Sequence, residues 1–196
     1  MAVEFPSVVA VMKRFVLSLA LVATALAGCS APRYGANYLN ASLNAPYQLA
    51  SGDRIRVIVF GQDTLSNSFS VDGAGNISMP LIGLVHAHGL TTAQLATTIE
   101  ARLREGYLRE PKVSVEVEAF RPFFVLGEVG AAGQYPFVNG MTVQNAVAIA
   151  GGFGPRGAQD SVDLTRIVNG RPMTATVPLT FAVRPGDTIT VKERFF

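Results

Sequence analysis

FFVLGEVGAAGQYPFVNGMTVQNAVAIAGGF, residues 123–153, decides the fold of this chain. An apolar run, Phe123–Leu126, breaks into Gly127-Glu128-Val129-Gly130, and a turn of small residues follows at Ala131-Ala132-Gly133. Gln134-Tyr135-Pro136-Phe137 predicts a second short strand, and Thr142 opens a helix. Glycine supplies the positive φ that sharp reversals need. The Thr142 hydroxyl is placed to accept from an unpaired N–H of the first helical turn. Val143, Ala146, Val147 and Ala150 recur at helical spacing on one face, and Gly151-Gly152 stops the helix. The stretch therefore predicts a β-β-α unit, a thin helix laid on a sheet. It holds no nucleophile–base pair.

Working back toward the N-terminus, Val113, Val115 and Val117 alternate with Ser114, Glu116 and Glu118, which predicts a strand with one wet face. Before it, Leu95, Ile99 and Leu103 form the apolar stripe of a helix that ends over Tyr107–Pro111. Thr91 and Gln94 fit a capping box, and Leu90 with Leu95 fits a hydrophobic staple. Phe69-Ser70-Val71 and Ile77-Ser78-Met79-Pro80 flank the turn-forming run Asp72–Asn76 and predict a hairpin. Earlier still, Ile55, Val57 and Val59 share one face of a strand whose other face carries Arg54 and Arg56.

Toward the C-terminus, Val162–Val168 and Met173–Leu179 flank Asn169-Gly170, a hairpin signal. Ser51-Gly52-Asp53-Arg54-Ile55-Arg56-Val57 is echoed by Pro185-Gly186-Asp187-Thr188-Ile189-Thr190-Val191. Each copy predicts a Gly-Asp turn that launches an edge or closing strand. The fold class expected is α+β: two small mixed domains, 47–120 and 121–196.

The first 28 residues read as a targeting segment. Lys13-Arg14 is a positive n-region, and Met12 before it is the more natural start. Phe15–Leu26 is apolar but short for a membrane-spanning helix. Leu26-Ala27-Gly28-Cys29 resembles the bacterial lipobox, which implies a lipoprotein signal peptide, cleavage before Cys29 and lipid on its thiol. Cys29 is the chain's single cysteine, so no internal disulfide competes for it. Ser30 after it fits transfer to the outer membrane in enteric-type bacteria. Residues 29–46, small and polar, read as a tether.

Two resemblances cover most of the remainder. Val125, Gly127, Glu128, Val129, Gly133 and Tyr135, followed by Thr142, Val143, Ala146, Val147, Ala150, Gly151 and Gly152, resemble the SLBB (soluble-ligand-binding β-grasp) domain. Leu49, Gly52, Asp53, Ile55 and Val57, then Val71, Gly75, Ile77, Pro80 and Gly83, then Gly89, Leu90, Thr91 and Leu95, then Pro111, Val113 and Val115, resemble the polysaccharide biosynthesis/export domain. Their order is similar to that of the short members of the outer-membrane polysaccharide export lipoprotein family. The resemblance implies a non-enzymatic subunit of an exopolysaccharide or capsule export complex, lipid-anchored at the periplasmic face of the outer membrane. It implies a homo-oligomeric ring that conducts polysaccharide, coaxial with an inner-membrane polysaccharide co-polymerase. The chain stops at Phe195-Phe196 after a strand, so a separate outer-membrane β-barrel is the expected pore. The alternative is a lipid-anchored module that binds a soluble sugar without a channel.

The residues suggest little catalytic chemistry. A net charge of +2 and no Lys/Arg block give no nucleic-acid signature. His86 and His88 form H-x-H without a third ligand at recognisable spacing, so no metal or other cofactor is expected. Asp53 and Asp187 would have to converge for glycoside hydrolysis, yet their matching Gly-Asp contexts favour backbone capping. Glu128, Tyr135 and Arg121 are candidate contacts for a neighbouring subunit or a sugar. Arg121, Phe123, Phe124 and Tyr135 would make a sugar-stacking surface, with packed core as the commoner fate of such residues.

Overall fold

The computed structural model describes Leu39 and residues 46–194. Cys29, the targeting segment and Phe195-Phe196 lie outside the described residues, as does all of the expected tether except Leu39 and Pro46. Among the described residues no helix is long and apolar enough to cross a membrane.

The first core is built on strand β1 (Arg54–Val59), which alternates as its sequence predicts, with Ile55, Val57 and Val59 buried. β1 lies at the centre of a three-stranded sheet, flanked by β2 (Asn67–Ser70) and β5 (Val113–Ala119), both antiparallel to it. Its register sets Ile55 opposite Val117, Val57 opposite Val115 and Val59 opposite Val113, so the valines of β5 face the same core. Helix α1 (Thr92–Arg104) buries Leu95, Ile99 and Leu103 against this face. Both halves of the Thr91–Gln94 capping box are formed. Glu100 on α1 accepts from the Val113 N–H at 2.9 Å and ties the helix to the start of β5.

Two expectations for this half are corrected. The segments around 69–71 and 77–80 do not pair with each other. β2 pairs with β1, while β3 (Asn76–Met79) pairs with β4 (Gly83–His86) in a separate two-stranded sheet. The turn between them is real: the Asp72 carboxylate accepts from Ala74 and Asn76 N–H at 2.9 and 2.8 Å. The Gly75 carbonyl, however, accepts from Ala87 and His88 N–H, which joins the turn to the end of β4 instead of extending a β2 ladder. Helix α1 also ends earlier than expected, at Arg104, with Gly106 at φ +113° turning the chain. Leu108 N–H returns to the Leu103 carbonyl, which places Tyr107–Pro111 after the helix.

The second core follows the stretch that opens the sequence reading. β6 (Phe123–Gly127) and β7 (Gly133–Tyr135) form the antiparallel pair, and α2 (Val143–Ile149) buries Val143, Ala146 and Val147. β8 (Ser161–Val168) and β9 (Arg171–Pro178) form the second hairpin. Asn169 and Gly170, at φ 51° and 74°, have the two positive values a tight hairpin turn requires. β10 (Thr188–Val191) then inserts between the hairpins, parallel to β6 and antiparallel to β8, giving the order β7-β6-β10-β8-β9. A last strand returning to the centre beside the first, with a helix across one face, is the β-grasp arrangement.

Two further corrections follow. The edge alternative for β1 and β10 does not hold: both are interior strands with partners on both sides, and β10 is the last strand to complete its sheet. Leu39, placed by its sequence in the tether, is fully buried among the side chains of the second core. The polar composition around it concealed one apolar anchor, whose partners lie more than eighty residues further along the chain.

Candidate functional site

The two Gly-Asp turns have the same internal geometry. In the first, Gly52 sits at φ +93° and Asp53 N–H donates to the Ala50 carbonyl at 3.1 Å, while Asp53 Oδ2 accepts from Ala50 N–H at 2.8 Å. In the second, Gly186 sits at φ +83° and Asp187 N–H donates to the Arg184 carbonyl at 3.1 Å, while Asp187 Oδ2 accepts from Arg184 N–H at 2.7 Å. Each carboxylate therefore caps the turn that carries it, as the matching sequence contexts predict.

Both turns meet at the linker, Arg121-Pro122. Asp53 Oδ1 accepts from Arg121 N–H at 2.8 Å, and Gly186 N–H donates to the Pro122 carbonyl at 3.0 Å. The Arg121 side chain lies across Gly186, where an added Cβ would fall 2.6 Å from Arg121 Nε. Its Nη1 reaches the Tyr47 hydroxyl at 3.3 Å and Asp53 Oδ2 at 3.7 Å. Tyr47 donates to Asp53 Oδ2 at 2.5 Å, and its ring begins an edge-to-face series through Phe120 to Phe137. The junction is thus gripped from the first domain by a carboxylate and from the second by a backbone N–H.

Behind the second turn lies a buried ion pair. Arg166 donates from Nε and Nη2 to the two Asp187 oxygens at 2.9 and 2.7 Å, a bidentate pair that adds directional hydrogen bonds to charge attraction. Burial pushes the Asp187 carboxyl up from its ordinary value, and Arg166 and the Arg184 N–H pull it back down. Burial also lowers Arg184, as does the nearby positive charge of Arg166. Burial and the hydrogen bond to Asp53 raise the Tyr47 phenol far above its usual range.

Chemically, the cluster fixes geometry. Asp53 and Asp187 are 0% and 1% exposed, and every hydrogen bond described for their carboxylates is to a turn N–H, a tyrosine or an arginine of the chain itself. They do not present two acids across an open cleft, as glycoside hydrolysis requires. Among the described residues no group of three or more His, Cys, Asp or Glu is placed to hold a metal. His86 and His88 are exposed, and His86 Nδ1 lies 3.2 Å from Asn76 Oδ1.

The other sequence candidates fall in separate places. Phe123 is fully buried, whereas Phe124 is partly exposed on the opposite face of β6, so the aromatics and Arg121 do not share one surface. Tyr135 donates to the Ala131 carbonyl at 2.5 Å and packs near Phe123. Glu128 lies 3.9 Å from Arg156 and against Gly154, where an added Cβ would fall 2.7 Å from Oε1. Of Glu128, Tyr135 and Arg121, only Arg121 belongs to the junction that Asp53 and Asp187 frame. Tyr47, Arg166 and Arg184 were not anticipated: Tyr47 and Arg184 meet their aspartates within the local turns, whereas only the fold brings Arg166 of β8 to Asp187. The repeated Gly-Asp turn was the available signal.

These features define a class: a two-domain α+β chain with a β-grasp second domain and a joint saturated by its own charges. Residues 41–118 match the family described as Polysaccharide biosynthesis/export protein, and residues 122–177 match the SLBB domain, with residues 119–121 between them. The chain belongs to the polysaccharide export protein family, with one export domain and one SLBB domain. Among its relatives is the exopolysaccharide production protein ExoF of Rhizobium meliloti (strain 1021), 31% identical over 134 residues, 60% of this chain and 32% of the relative. The polysialic acid transport protein KpsD of Escherichia coli is 31% identical over 114 residues, 57% of this chain and 20% of the relative. The match therefore spans about a third or less of these relatives' length.

Proposed function

We propose that this chain is a non-enzymatic subunit of a bacterial machine that exports an exopolysaccharide or capsule polymer. The observation that carries it is the ordered pair of matches, export domain then SLBB domain, with a junction whose carboxylates are turned inward. The names of the relatives, exopolysaccharide production and polysialic acid transport, support the same reading. In this proposal residues 47–120 and 121–196 are the two domains of the mature protein. Residues 1–28 are removed, and Cys29 carries the lipid that holds the protein at the periplasmic face of the outer membrane. Several acyl chains on one residue anchor stably, whereas a single chain is marginal. Copies assemble as a ring around the polymer path, between an inner-membrane co-polymerase and a separate outer-membrane β-barrel. Glu128, Tyr135 and Arg121 remain the proposed subunit or sugar contacts.

The test is genetic and physical. Deletion of the gene should abolish surface or secreted polysaccharide, and wild-type protein should restore it. Cys29→Ala should move the protein from the membrane to the soluble periplasmic fraction and impair secretion. Unchanged secretion in the deletion strain refutes the export role; a membrane-bound Cys29→Ala protein refutes the anchor. Light scattering of the lipidated protein in detergent should give a ring-sized mass, and a strict monomer would speak against the ring.

A further inference from the structure

Leu39 precedes the whole export domain in sequence but is packed into the SLBB core, with no exposure. Its carbonyl accepts from Arg166 Nη1 at 3.2 Å. The same guanidinium holds both Asp187 oxygens, donates from Nη2 to the Ala182 carbonyl at 3.0 Å, and lies 5.7 Å from the centre of the Phe181 ring. Asp187 in turn closes the turn whose Gly186 N–H grips Pro122, next to the Arg121 that Asp53 holds. One unbroken series of contacts therefore runs from Leu39, through Arg166 and Asp187, to the interdomain linker.

We propose that Leu39 acts as a strap that sets the joint between the export and SLBB domains. The physical basis is the burial of Arg166. With Leu39 docked, the guanidinium is kept dry and Nη1 has an acceptor. With Leu39 withdrawn, Nη1 loses the Leu39 carbonyl and water gains access to the ion pair. Losing a buried hydrogen bond is costly, and water weakens the attraction between Arg166 and Asp187. Arg166 then holds Asp187 less firmly, the second turn loosens, and its grip on Pro122 weakens. The coupling is reciprocal, as any linkage between two equilibria must be. The consequence goes beyond polymer handling: whatever pulls on the N-terminal segment changes how firmly the two domains are joined.

Amide hydrogen exchange on the full-length protein in detergent tests this. The joint reporters are the N–H groups of Arg121 and Gly186; the controls are the β1–β5 and β8–β9 ladders. Leu39→Val, mild enough to keep the core, should speed exchange at both joint amides by about fivefold or more, the lower end of typical coupling, with both ladders at wild-type rates. In an Arg121→Ala background, where the joint is already open, Leu39→Val should add little at Gly186. Unchanged joint amides in Leu39→Val would overturn the proposal. So would equal acceleration of the joint and the β8–β9 ladder, since Leu39 would then support the core alone. An undiminished effect in the Arg121→Ala background would also overturn it, because independent sites add.

Discussion

Replacement of Gly127 by alanine tests whether the central parallel pair of the SLBB sheet tolerates a side chain. Gly127 lies opposite Val191 in the β6–β10 register, at φ +87°. A Cβ there would stand 2.0 Å from the Val191 carbonyl oxygen and 3.0 Å from its carbon. Ordinary carbon contacts begin at about 3.5 Å, so the strands would have to part. Parting breaks the bond that Glu128 N–H donates to the same oxygen at 3.0 Å. The left-handed backbone costs an alanine about 1–2 kcal/mol. The lost hydrogen bond adds roughly 0.5–1.5 kcal/mol, and overpacking in a rigid site adds about 1–3 kcal/mol. Gly127→Ala should therefore destabilise the domain by about 2.5–6.5 kcal/mol. Gly170→Ala is the control, because Gly170 has φ +74° but nothing within 4 Å of the added Cβ. It should show only the backbone cost of about 1–2 kcal/mol. The chain has no tryptophan, so urea unfolding is best followed by far-UV circular dichroism. Amide exchange on β6 and β10 assigns the transition to the second domain. Equal destabilisation by the two substitutions would refute the close approach.

Three further outcomes are expected. Thr142→Ala removes the hydroxyl that accepts from Asn145 N–H in the α2 capping box and should cost roughly 0.5–2 kcal/mol, read as a lower unfolding midpoint; an unchanged midpoint means that the cap carries no stability. Arg166→Leu leaves Asp187 buried without its main counter-charge and should cost about 3–5 kcal/mol, with part of the loss regained by adding Asp187→Leu; a loss below about 1 kcal/mol would show that solvent replaces the pair. Tyr47 has a raised folded pKa, so the native state holds this proton more tightly than the unfolded chain. Its contribution is full below the ordinary phenol value of 10.0 and is lost as pH rises above it. Tyr47→Phe should flatten the alkaline decline in stability, and an identical decline in both proteins would remove Tyr47 as its source.

Local pattern determined most of the architecture. The alternation of Ile55, Val57 and Val59, the capping residues Thr91 and Thr142, and the Asn169-Gly170 turn each state their own conformation, because strand period, helix caps and positive-φ turns are short-range. The family resemblance was legible for the same reason: it rests on turn glycines and core positions at set spacings. Partner choice was not. The Asp72–Asn76 turn was visible, but pairing of β2 with β1 and of β3 with β4 is decided by which neighbours bury apolar faces. The insertion of β10 beside β6 is likewise a long-range decision, invisible in TITV itself. The junction shows the division most clearly. The duplicated Gly-Asp sequence announced two self-capped turns, whereas their convergence on Arg121-Pro122 required both domains to be folded. Leu39 is the extreme case. Leu39 lies in a segment of mostly small and polar residues, and only the tertiary structure offers it an apolar site and places the Arg166 guanidinium at its carbonyl.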